Sequence, residues 1–332
     1  MRNLWIVSAV AGVMVLTAGC GKPPADEATA EAVPLQEAAR VYASAATVPV
    51  MYDDAPVLSA VYPALSGGVL RLARLTELPP GVLIQAEGVS ITENDLEEHF
   101  RNAPPEMREE LRTHTFFVLE NYATPLLMLA QARQHFHDPE ADEETLFQRY
   151  IDEITETIKI SDADIEAFYG KHQAMMGDAP LNAVRSSIRH HLMQEQQQAL
   201  IQAHIRDLGR EIPIALSASW GEAQAAVMLD NPLDQARGSG LPTMASFGAD
   251  SCMPCQMMKP VRETIRKRYE GRLNVVYVHA DRDHILASRY GIRGIPHMLF
   301  FDARGNEVHA HTGMMKEAEI EAWLKKIGVE GL

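Results

Sequence analysis

The sequence predicts two folded units in series, a mainly α-helical module followed by an α/β domain. Three observations predict this. The chain has 332 residues, more than one average domain needs. Between residues 92 and 208 apolar side chains recur mostly at three- and four-residue spacings, the period of a helix buried on one side. From about residue 222 helical stretches alternate with short β-branched and aromatic runs, the pattern of a sheet covered by helices. Hydrophobic residues make up 46% of the chain and charged residues 23%, enough apolar material for real cores. The net charge of −15, from 45 acidic and 30 basic residues, argues against nucleic acid as a partner, because phosphate binding requires a concentrated basic face.

The N-terminus reads as an address. Arg2 supplies a positive start and residues 4–16 an apolar run too short and too abruptly ended for a membrane-spanning helix. The run closes with Leu16-Thr17-Ala18-Gly19-Cys20, small residues ahead of a lone cysteine, which resembles a bacterial lipobox. That resemblance implies a lipoprotein signal peptide over residues 1–19, a diacylglycerol on Cys20, and anchoring at the periplasmic side of a membrane. Gly21 in place of aspartate favours the outer membrane over the inner. The plainer alternatives are an ordinary cleaved signal and an uncleaved anchor. Residues 20–47 are rich in Ala, Glu and Pro and read as a flexible tether. Residues 48–79 hold short apolar runs and stay unassigned.

The helical module opens with a strand pattern at 83–91. Thr92 then caps a helix, with Asp95 three residues on completing a capping box, and Ser161 with Asp164 repeats the device. Helical stretches fall near 105–136 and 143–159, and Pro125 is expected to bend or split the first. A long helix starts near Leu181, with Val184, Ile188, Leu192, Ile201, Ile205 and Leu208 on one stripe. Residues 211–214 look like a closing strand. Glu87–Phe100 (EGVSITENDLEEHF) and the helices from Ile160 and Ala179 resemble the N-terminal domain of SurA/PrsA-type periplasmic chaperones over residues 80–216. Many of those chaperones carry a parvulin isomerase domain. Here only residues 173–178 separate two helices, so no prolyl isomerase activity is expected. The apolar faces either cradle an unfolded client or pack only on each other. Adjacent His190 and His191 point to different helix faces and read as solvated rather than as a metal site.

The C-terminal domain, residues 222–332, carries the chemistry. The expected elements are a helix at 222–238, a strand at 241–247, a helix opening at Cys252-Met253-Pro254-Cys255, a strand at 274–279, a helix near 283–290, strands at 297–302 and 306–312, and a helix through 317–326. A cysteine just before a helix meets unpaired N–H groups and the positive end of the dipole, which favour its thiolate. Cys255 follows three residues later on the same side and can bond to it. Pro254 fits the first turn without losing a hydrogen bond. Cys252 is therefore the candidate nucleophile and Cys255 the resolving thiol. With Cys20 lipidated these two are the remaining cysteines of three, so no disulfide framework exists.

The stretches FGADSCMPCQMMKP and YGIRGIPHMLFF closely resemble thioredoxin. Pro260 lies five residues after Cys255, and Ile295-Pro296 stands where thioredoxins place their cis-proline. The resemblance implies that Pro296 is cis beside Cys252, keeping metal ions out, and that the Ile295 backbone pairs with an extended substrate. It also marks departures. Ser246 stands where a buried aspartate is usual and Tyr277 where a lysine commonly partners it, while Gly248 and Ser251 replace tryptophans. A serine hydroxyl is no general base near neutral pH. His297 follows Pro296 and is either a modulator that favours the Cys252 thiolate when protonated or a solvent-facing loop residue. A zinc reading lacks further ligands, since His309 and His311 are not placed near Cys252, so neither metal nor cofactor is expected. The expected function is a lipid-anchored periplasmic thiol–disulfide oxidoreductase acting on envelope protein thiols or disulfides, with a redox partner the sequence does not name. The alternative is an envelope assembly protein that uses the second domain as a docking surface.

Overall fold

The computed structural model describes residues 54–105, 108–138, 140–173 and 179–329. The expected signal peptide, Cys20 and the tether over 20–47 lie outside the described residues. The first module runs α1 (Leu58–Val61), a 3-10 turn (Val69–Leu72), β1 (Arg74–Thr76), β2 (Val82–Ala86), β3 (Val89–Thr92), α2 (Glu93–Asn102), α3 (Arg108–Thr113), α4 (Thr115–Phe136), α5 (Glu143–Thr155), α6 (Asp162–His172), α7 (Leu181–Asp207), β4 (Ala215–Ser217) and α8 (Ala218–Met228). Both capping boxes form. Thr92 accepts from the Asp95 N–H at 3.3 Å while the Asp95 carboxylate accepts from the Thr92 N–H at 2.7 Å. Ser161 and Asp164 do the same at 3.2 and 2.8 Å. Gly88, at φ +73°, makes the tight turn of the β2–β3 hairpin, where a side chain would be strained.

Residues 54–79, the described part of the segment left unassigned by sequence, belong to this module. β1 pairs parallel with β4 in a four-stranded sheet of order β1-β4-β2-β3. Leu58, Val69 and Leu70 are fully buried in the core that α4, α5 and α7 close. Three expectations are corrected. The 105–136 helix breaks at His114, and α4 then runs through Pro125 uninterrupted. Buried residues surround α4 on most sides, so tertiary packing holds the helix across the missing N–H. The closing strand is 215–217 rather than 211–214, because residues 208–210 continue the helix as a 3-10 turn and Pro213 has no N–H to give a ladder. The helix expected over 222–238 is two: α8, whose Ala225 and Met228 enter the first core, and α9 (Pro232–Arg237), whose Leu233 enters the second. The boundary between cores therefore falls between Leu229 and Leu233 rather than at 222.

The second domain continues with β5 (Thr243–Gly248), α10 (Met253–Arg268), β6 (Asn274–His279), α11 (His284–Arg289), β7 (His297–Phe301), β8 (Glu307–Thr312) and α12 (Glu317–Lys326). Its sheet has the order β6-β5-β7-β8, with β6 parallel to β5 and the other pairs antiparallel. Central β5 is buried along its whole length. Met244, Met298 and Phe300 face α10 and α12 on one side, while Ala245, Phe247, Leu299 and Phe301 face α9 and α11 on the other. Burying each of these phenylalanines contributes roughly 1.5–3 kcal/mol. The modules meet around Arg289 of α11, which bonds the Ala64 carbonyl at 2.8 Å and Asp234 of α9 at 2.9 Å.

Candidate functional site

β5 ends at Gly248 and the loop 249–251 delivers Cys252 as the N-cap of α10. The Cys252 sulfur accepts from the Cys255 N–H at 3.2 Å, so the helix end points an unpaired donor at it. The Cys252 carbonyl takes the first helical bond, from Gln256 at 3.1 Å. Pro254 sits in the first turn, where no N–H is needed. Cys252 and Cys255 are joined in a disulfide with Cα atoms 5.2 Å apart. Their exposure differs: Cys255 is 4% exposed, whereas Cys252 is half-buried. An attacking sulfur must be reachable and a resolving one need not be, and the pair has that asymmetry.

The Ile295–Pro296 peptide bond is cis. Phe247 pairs with His297, and extending that register by one residue sets Pro296 across from Gly248. The Gly313 N–H fixes the Pro296 carbonyl at 2.8 Å. Gly248 is the close point of the site. A Cβ there would lie 3.1 Å from Cys255 Cβ and 3.2 Å from its sulfur, so a side chain would press on the disulfide. Met253 is 72% exposed beside Cys252, and Met314 is 53% exposed beside Gly313.

Ser246 is buried in β5, level with Tyr277 on β6 and Met298 on β7. His297 lies on β7, with Nδ1 2.9 Å from the Thr312 hydroxyl. Burial, and secondarily His311, push its pKa down to about 4. The imidazole is therefore neutral at neutral pH and supplies no charge to the Cys252 thiolate. This displacement has a consequence for stability. An unfolded chain protonates His297 near 6.5, whereas the folded chain holds it neutral to about 4. The group's favourable contribution is thus complete above 6.5 and is lost as pH falls from there to about 4. His297→Gln is expected to flatten the fall of the urea midpoint between pH 7 and 4. An unchanged slope would show that other groups set it.

Among the described residues no three His, Cys, Asp or Glu side chains converge as metal ligands. His309 stacks on Trp323 with ring centroids 3.5 Å apart, and His311 lies 6.5 Å from it. His190 and His191 are exposed, the latter against Phe168 at 5.2 Å. One residue of the site escaped sequence reasoning. Arg262 is 8% exposed, seven residues after Cys255, and that two-turn spacing puts both on the buried face of α10.

Residues 229–328 match the family model of a thioredoxin-like domain. The chain is 36% identical over 88 residues to thioredoxin 1 of Nostoc sp., covering 26% of this chain and 81% of that protein. It is 35% identical over 86 residues to the thioredoxin of Porphyra purpurea, covering 26% and 79%. Among solved structures, a mutant thioredoxin from Halobacterium salinarum is 32% identical, covers 30% of this chain and 85% of that one, and has a TM-score of 0.27. With a bridged cysteine pair capping α10 and relatives that match across the domain, the chain belongs to the thioredoxin family, and its C-terminal domain is built for thiol–disulfide redox chemistry.

Proposed function

We propose that this protein is a thiol–disulfide oxidoreductase of the bacterial cell envelope, held at the periplasmic side of the outer membrane by a lipid on Cys20. The observation that carries the reading is the disulfide itself, with one half-buried sulfur capping a helix and one buried sulfur behind it. In the reducing direction the Cys252 thiolate attacks a client disulfide. A Cys252–client bond forms, the client S–S bond breaks, and its electron pair leaves on the second client sulfur, which takes a proton. Cys255 then loses its proton and attacks Cys252, closing the internal disulfide and releasing the first client sulfur as a thiol. Two electrons pass from the pair to the client, and a separate dithiol partner must restore them. Run backward, the same steps oxidise a client dithiol.

Exposed Met253 and Met314 give the client an adaptable apolar rim. Among the described residues the Ile295 backbone makes no backbone hydrogen bond, which leaves it free to pair with an extended client segment. We also assign the first module, on its resemblance to SurA/PrsA-type chaperones, the task of holding an unfolded client. A pocket of about 270 Å³, lined by Leu83, Leu96, Phe100 and Trp220 together with Glu93, Glu97, Arg112 and Thr115, offers such a client both apolar and polar contacts. Cys255→Ala keeps the nucleophile and removes the resolving thiol, so it is expected to accumulate client proteins as mixed disulfides through Cys252. Dithiothreitol-releasable adducts on non-reducing gels of envelope extracts test this. Their absence, with Cys252 free and alkylatable, would count against the reading.

A further inference from the structure

Arg262 is a buried cation of the second domain without a close ion pair among the described residues. Arg262 is 8% exposed, has no carboxylate within ion-pair distance among the described residues, and leaves its buried Nε without a hydrogen-bond partner. Its guanidinium instead lies over the Tyr277 ring, 4.2 Å from the centroid. Tyr277 stands on β6 level with Ser246, on the sheet face that α10 covers. Its hydroxyl and the Cys255 sulfur converge on bare Gly248. A Cβ there would lie 3.0 Å from the hydroxyl and 3.2 Å from the sulfur, so both atoms border that glycine, and no hydrogen bond joins them while the bridge is closed.

While the bridge is closed, the Cys255 sulfur is bonded to Cys252. When it opens, a sulfur in a 4% exposed position needs a donor that bulk water cannot readily supply. We propose that Tyr277 supplies that hydrogen bond, stabilising the Cys255 thiolate, and that Arg262 acts through Tyr277 as a positioning residue and as the compensating charge. The inference rests on the oxidoreductase reading above and takes the place that Ser246 cannot fill as a base. Tyr277 keeps its proton throughout. Burial pushes its phenol up, and Arg262 opposes that rise without cancelling it. The other charges acting on the phenol are Asp250, Asp281 and Arg282, and His279 lies edge-on at 6.5 Å. Asp250 already pairs with Arg282 at 2.9 Å, whereas the carboxylate acting on Arg262 is Glu263, which lies beyond ion-pair distance from it and is itself paired with Arg266. In the resolving step Cys255 gives its proton to the departing client sulfur, the Cys255–Cys252 bond forms and the Cys252–client bond breaks. Tyr277 only holds the negative sulfur that makes the attack.

The reduced Cys255 sulfur accepts a hydrogen bond better than the bridged one, so that bond favours the dithiol form and removing it favours the disulfide. Tyr277→Phe keeps the ring and is expected to shift the dithiol–disulfide equilibrium about tenfold toward the disulfide, a potential about 30 mV lower. It is also expected to slow mixed-disulfide resolution and to move the pH midpoint of that step upward. Arg262→Met is expected to shift both quantities the same way, and Arg262→Lys to restore part of the loss. The measurement is equilibration of the full chain in glutathione buffers, with stopped-flow resolution across pH. A Tyr277→Phe protein with the wild-type potential and pH midpoint, whatever its melting temperature, would overturn the inference and leave Tyr277 a packing residue. A wild-type pair that never interconverts would strike the oxidoreductase reading instead, so the two failures are distinguishable.

Discussion

Cys252→Ala is expected to bring disulfide turnover down to the rate of uncatalysed exchange while the fold persists. The substitution deletes the only half-buried sulfur of the pair, and Cys255, at 4% exposure, cannot take over attack on a protein client. Its structural cost has two parts. The bridge closes a loop with a sequence separation of 3, short enough that the chain-entropy contribution is only about 2 kcal/mol. The Cys252 sulfur also caps α10 by accepting from the Cys255 N–H, and losing a cap costs about 1 kcal/mol. Cys255→Ala loses the same bridge but keeps the cap, so the first variant should be slightly the less stable. Insulin reduction by dithiothreitol, followed as turbidity, reads the activity, and urea unfolding reads the stability. Turnover surviving in Cys252→Ala, with folding intact, would mean that the chemistry lies elsewhere.

The site was legible in the sequence because its residues are fixed by local chemistry. Two cysteines at a helix start and Pro254 between them answer to a backbone demand that a short window reveals, whereas Pro296 was legible through the resemblance to thioredoxin. The strand 274–279 and the helix 317–326 fell where β-branched runs and a three–four stripe put them. What escaped depends on long-range packing. Leu58, Val69 and Leu70 look like a stray apolar run until β1 pairs with β4, about 140 residues away in the chain. Pro125 signals a break that burial around α4 overrides, while the actual break at His114 carries no proline or glycine. Arg262 escaped notice, because only the fold shows that Tyr277 lies beneath it. His297 read as either a cation near Cys252 or a solvent-facing loop residue, and its burial, which lowers its pKa, comes only with the fold.

Arg289→Ala is expected to destabilise the protein by about 3–5 kcal/mol and to uncouple its two cores. Arg289 and Asp234 form an ion pair at 2.9 Å with side chains only 6% and 0% exposed. Breaking such a pair leaves an uncompensated buried charge, which costs far more than the intact pair contributes. Asp234 would keep the Asn231 amide at 2.6 Å and the Tyr290 hydroxyl, and these hydrogen bonds set the lower end of the range. The arginine also donates to the Met228 carbonyl at the end of α8 and to the Ala64 carbonyl, so one side chain ties both ends of the first module to α9 and α11. Arg237 adds bonds to Tyr290 at 2.8 Å and to the Gly305 carbonyl at 2.7 Å, which do not depend on Arg289. The second core should therefore outlast the junction, and urea unfolding should separate into two steps with early proteolytic cleavage around residues 228–231. Replacing the pair together, as Arg289→Met with Asp234→Leu, should recover part of the loss, because no charge is then stranded. A loss below about 1 kcal/mol for Arg289→Ala, with a single unfolding step retained, would show that the modules are joined by their apolar contacts and not by this pair.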